Sequence, residues 1–67
     1  MTRYFIDTST ANDFDAVVRF LHSKQIPIAD RNKVKLVVSA ELTDEQLEEL
    51  RRLPLEEYVS CGKAPLL

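Results

Sequence analysis

The sequence predicts an α+β domain in the order β-α-β-β-α-β, and three observations point there. The passage from Val34 to Val59, VKLVVSAELTDEQLEELRRLPLEEYV, writes strand, capped helix, stop and strand without a break. Upstream, Phe14, Val17, Val18 and Leu21 recur at the i, i+3, i+4, i+7 spacing of an amphipathic helix. Ahead of that helix, Arg3 to Thr8 sets Tyr4 and Ile6 on one face and Phe5 and Asp7 on the other, the period of a strand.

Taken in order, the first strand spans Arg3 to Thr8 and hands over at Ser9 and Thr10, either of which can cap a helix from about Ala11 to Lys24. Ile26-Pro27-Ile28 is extended by its proline and reads as a short, weak edge strand, where a missing N–H is tolerated. Asp30-Arg31-Asn32 supplies turn residues. Lys33 to Ala40 then alternates, with Lys33 and Lys35 outward and Val34, Leu36, Val38 and Ala40 inward.

The second helix is the best specified element. Thr43 with Gln46 three residues later makes a capping box, and Leu42 and Leu47 are spaced as a hydrophobic staple. Leu47, Leu50 and Leu53 form the apolar stripe; Asp44 and Glu45 open the helix and Arg51 and Arg52 close it, complementing its dipole. Pro54 stops it. Glu48 is spaced to pair with Arg52, an exposed contact worth roughly 0.3–0.5 kcal/mol. Glu57 to Cys61 reads as the closing strand with Val59 inward, and Gly62 to Leu67 as a flexible C-terminal tail.

One antiparallel sheet with both helices on one face is the layer solution for this order: the ferredoxin-like arrangement, with the first and third strands central. The opposite face would then carry Phe5, Val37 and Tyr58 as an apolar patch, which marks a partner surface or a homodimer interface, so monomer and homodimer both stay open.

Composition narrows the function classes. A chain of 67 residues makes a single small domain that buries only about 60% of its unfolded surface. A net charge of −2 argues against nucleic-acid binding, and the third strand lacks the aromatics that RNA-reading sheets use. No stretch is apolar enough for a membrane span, and nothing at the start reads as a secretion signal. With Cys61 the only cysteine, no internal disulfide can form, which fits a reducing, cytoplasmic setting.

Catalytic and metal chemistry has little to draw on. One histidine, His22, and one cysteine make no ligand set, and the first loop has Thr8-Ser9-Thr10-Ala11 where metal-carrying domains of this outline use Cys-x-x-Cys, so neither cofactor nor metal is expected. Cys61 has no base beside it, and Asp44, Glu45, Glu48 and Glu49 line a polar helix face instead of converging on a cleft. Asp7-Thr8-Ser9-Thr10 lacks the glycine of a calcium or phosphate loop. No nucleophile, base and polariser can be named together, so the expectation is a protein that is not an enzyme.

Val38-Ser39-Ala40-Glu41-Leu42, Thr43-Asp44-Glu45-Gln46-Leu47 and Leu53-Pro54-Leu55-Glu56-Glu57-Tyr58-Val59 together resemble the C-terminal half of the subtilisin-propeptide family, which includes free-standing serine peptidase inhibitors. That family runs from an "F-S-A-x-L" strand into a T/S-x-E-x-L helix and a short "D-P-x-V-x-x-V" strand. The resemblance implies a small inhibitor or folding assistant that presses its sheet face on a serine peptidase and lays its tail along the cleft by strand addition. The tail would be Gly62, Lys63, Ala64, Pro65, Leu66 and Leu67, with Gly62 as hinge and Leu66 and Leu67 filling subsites. The alternative is a small regulatory protein, or an inhibitor encoded by a virus or mobile element, that docks its sheet face or acidic second helix on a partner enzyme other than a peptidase.

Overall fold

The computed structural model describes residues 2–63. Its elements are β1 (Thr2–Asp7), α1 (Ala11–Ser23), β2 (Ile28–Asn32), β3 (Val37–Leu42), α2 (Asp44–Arg51) and β4 (Ser60–Lys63). The four strands form one sheet in the order β2-β3-β1-β4, every neighbouring pair antiparallel. On one face β1 and β3 set Tyr4 opposite Ala40 and Ile6 opposite Val38, all buried. These residues share a single core with Phe14, Val17, Phe20 and Leu21 of α1 and Leu47 and Leu50 of α2. Phe20 widens the stripe read from the sequence, whereas Val18 packs only against the core's margin.

Helix α1 begins where Thr10, extended at φ −131, accepts the Asp13 N–H on Oγ1 at 3.0 Å. It ends in a Schellman motif that no glycine advertises. Gln25 sits at φ 57 and donates its N–H to the His22 carbonyl, while Ile26 donates to the Leu21 carbonyl at 2.9 Å. The motif turns Ile26 back into the core beside Leu21, so Ile26 is an anchor of the helix end, not a strand residue. A left-handed conformation costs a residue with a Cβ about 1–2 kcal/mol, partly offset because glycine loses more chain entropy on folding. Gln25→Gly is therefore expected to raise stability by about 0.5–1 kcal/mol, read as a higher urea midpoint at unchanged slope.

The β2–β3 hairpin lies further along the chain than the alternation suggests. Asp30, Arg31 and Asn32 are strand residues, and the turn is Lys33 to Leu36. Asn32 causes the shift: its Oδ1 accepts N–H groups from both Val34 and Lys35 at 3.0 Å, folding the chain over its own side chain. Leu36 then takes φ 60, and its carbonyl is held by the Thr8 N–H at 2.9 Å and the Thr8 hydroxyl at 2.7 Å. Val34, expected inward, is 93% exposed at the tip. Register slips between Ile28 and Asp30, so Ala29 bulges from the outer edge of β2.

The capping box of α2 is complete: Gln46 donates its N–H to Thr43 Oγ1 at 3.2 Å, and Thr43 donates its N–H to Gln46 Oε1 at 2.9 Å. Leu42 and Leu47 are both buried, as a staple requires. The helix closes with Arg52 and Leu53 donating to carbonyls three residues back, ahead of Pro54. Glu48 meets Arg51 at 4.0 Å in place of Arg52, because the fourth position on already lies past the last helical residue.

Strand β4 starts at Ser60, three residues later than expected, and pairs Ser60 with Asp7, Cys61 with Ile6, Gly62 with Phe5 and Lys63 with Tyr4. Gly62 and Lys63 are therefore strand residues, not tail. Gly62 has no positive φ, so no hinge conformation requires it. Ala64, Pro65, Leu66 and Leu67 lie outside the described residues.

Candidate functional site

Alternation along the strands makes the second sheet face the first candidate. Arg3, Phe5 and Asp7 of β1 project opposite to Tyr4 and Ile6, and their register partners are Glu41, Ser39 and Val37 on β3. Phe5 is 41% exposed and stands between Ser39 and Gly62. A side chain added at Gly62 would enter open space, so the ring has a clear flank on the β4 side. Val37 is half-buried one register step along, opposite Asp7. Ser39 is only 5% exposed between Phe5 and Asp30. The face is thus an aromatic ring over small residues, rimmed by the opposed Arg3 and Glu41, whose charges approach to 3.9 Å.

Tyr58 does not join it. At 84% exposed, it lies ahead of β4 and lines a cleft of about 270 Å³ with Leu50, Arg51, Leu53, Leu55, Glu57 and Val59, at the end of α2. The cause is a buried carboxylate. Asp13, 2% exposed in the first turn of α1, accepts the N–H of Glu56 at 2.8 Å on one oxygen and that of Glu57 at 2.9 Å on the other. Backbone donors committed to Asp13 cannot enter the sheet ladder, so the strand waits until Ser60. Sequence alone marks Asp13 as a first-turn acidic residue; its second role needs a partner more than forty residues away, and no local pattern carries that.

A further cleft, about 350 Å³, opens where α1 turns into β2, with Ile26, Pro27 and Ala29 against Arg3, Lys24, Glu41 and Gln46. Its charges are already engaged: Lys24 meets Glu49 at 2.7 Å and Arg3 faces Glu41. Gln46 spends its side-chain oxygen on the α2 cap.

Cys61 points toward the core side of β4 and is half-buried. Burial pushes its thiol up from the ordinary value; the Arg51 guanidinium opposes that and Asp7 adds to it. A raised thiol pKa leaves less thiolate at neutral pH, the reverse of what a nucleophile requires. His22 is exposed on α1. Among the described residues no group of three or more His, Cys, Asp or Glu side chains is placed to hold a metal ion, and no helix is long and apolar enough to cross a membrane. No family model matches the chain, and neither a curated protein nor a solved structure matches it.

Proposed function

We propose that this chain is a non-enzymatic protein-binding module that inhibits a subtilisin-type serine peptidase or assists its folding. In this reading the Phe5 face lies against the peptidase and residues 64–67 occupy its cleft. The observation that carries it is the arrangement of β4: among the described residues a strand paired on one side only, beside the Phe5 ring, that leads in sequence from Lys63 directly into Ala64-Pro65-Leu66-Leu67. Strand addition and a docking face would then be contiguous. The strand order with β1 and β3 central, and the single core shared by both helices, support a ferredoxin-like architecture with the helices on one side. A lone, half-buried cysteine fits a reducing, cytoplasmic setting. No nucleic acid, membrane or cofactor enters the mechanism.

The test uses the full chain and a version ending at Lys63, which keeps β4 whole, each titrated against a subtilisin-type peptidase with a chromogenic peptide substrate. The full chain is expected to inhibit, and the shortened one to lose about 100-fold in potency as the contacts of two leucines and a run of backbone hydrogen bonds go. Absence of inhibition by the full chain overturns the peptidase reading. Binding that survives the truncation points to the alternative, a regulator that docks its sheet face or α2 on some other enzyme.

A further inference from the structure

The stretch between α2 and β4 contributes little to the core. Leu53 and Val59 are only partly buried, Glu56, Glu57 and Tyr58 are exposed, and no residue of β4 itself is fully buried. Its one deep attachment is polar, the pair of N–H groups from Glu56 and Glu57 on the two oxygens of Asp13. A carboxylate that receives two backbone donors in a site closed to water forms charge-assisted bonds, stronger than neutral ones and directional. The donors belong to consecutive residues, so the contact fixes both the position and the orientation of the chain three residues before β4 begins.

We propose that Asp13 is a positioning residue for the C-terminal strand. By gripping residues 56 and 57 it selects the register in which Ser60–Lys63 pairs with β1, and hence where Lys63 stands along the sheet. Should β4 and residues 64–67 be the contact surface, as proposed above, the first turn of α1 governs how the inhibitory segment is presented, although Asp13 itself is 2% exposed and cannot touch a partner. Residues 52–63 then behave as one unit whose pairing with β1 is set by the grip of one carboxylate.

The experiment is residue-resolved amide hydrogen exchange on the free full chain, comparing wild type with Asp13→Asn. The amide replaces one acceptor oxygen with a donor of nearly the same shape and so loses at least one of the two bonds. Exchange at the β4 amides that donate to β1 is expected to accelerate about tenfold or more, while amides of α1 and of the β1–β3 ladder keep wild-type protection. Glu56→Pro removes one donor from the exposed partner of the pair, leaves α1 untouched, and is expected to reproduce the effect. Unchanged protection at the β4 amides that donate to β1 in both variants overturns the proposal, and so does a uniform loss of protection across all strands, because Asp13 would then serve the global core alone. A peptidase arm separates the two ideas. If wild type fails to inhibit while exchange follows the expected pattern, the positioning role stands and the peptidase reading falls. If wild type inhibits and Asp13→Asn inhibits equally well despite faster exchange, the role in presentation is overturned.

Discussion

Truncation of Ile6 to alanine is expected to leave a large share of the chain unfolded at room temperature. Ile6 is fully buried on the central strand, with Val38 opposite it on one side and Cys61 on the other, beneath residues of both helices. Removing the branched side chain costs the transfer energy of its carbons and leaves a cavity, about 2–5 kcal/mol together. A domain of 67 residues, at about 0.05–0.15 kcal/mol per residue, has only about 3–10 kcal/mol in total. The loss is therefore comparable with the whole stability. Urea unfolding followed by far-UV circular dichroism should show a midpoint near or at zero denaturant; a midpoint within about 0.5 M of wild type would contradict the burial assigned to this position.

Among single substitutions, Phe5→Thr carries the largest expected effect on binding. Threonine keeps strand propensity, so the sheet should still form, with a cost of about 1–2 kcal/mol from the half of the ring that is covered. Among the described residues the exposed half is the largest apolar surface on this face, and aromatic anchors at the centre of an interface are worth about 2 kcal/mol or more. Potency against the peptidase is expected to fall about thirtyfold or more while the thermal transition remains cooperative. Wild-type potency in a folded Phe5→Thr chain would remove this face from the interface and leave the segment after β4 to act alone. The parallel change Tyr58→Thr should be nearly silent, since Tyr58 stands over a different cleft.

How much of this was legible in the residues depends on the range of the interaction. Helix α2 was readable nearly to the residue, because Thr43, Gln46, Leu42, Leu47 and Pro54 act on one another within a few positions. The start of α1 at Thr10 was readable for the same reason. Its end near Lys24 was also placed to within a residue, but the motif that makes it was not: the left-handed position is filled by Gln25 instead of glycine, and the pull comes from burying Ile26. The hairpin went astray because Val34, Leu36 and Val38 alternate perfectly, yet Asn32 captures two N–H groups and Thr8, far away in sequence, holds the Leu36 carbonyl. Of the candidate site, Phe5 and Val37 do share one face, while Tyr58 was misplaced by extending β4 backwards through residues that Asp13 withholds. Both failures trace to side chains that hydrogen-bond backbone groups, Asn32 locally and Thr8 and Asp13 across long stretches of sequence, a signal that periodicity does not register.

The displaced register at Ala29 has a consequence for how this margin of the sheet would meet another chain. Fibril growth from a sheet margin needs an unbroken row of donors and acceptors, repeated in step by each incoming chain. Along β2 that row is interrupted between Ile28 and Asp30, and the charged Asp30 and Arg31 follow at once. Lateral stacking from that side would have to mend the interruption and bring like charges together at every layer, so this margin terminates the sheet instead of extending it.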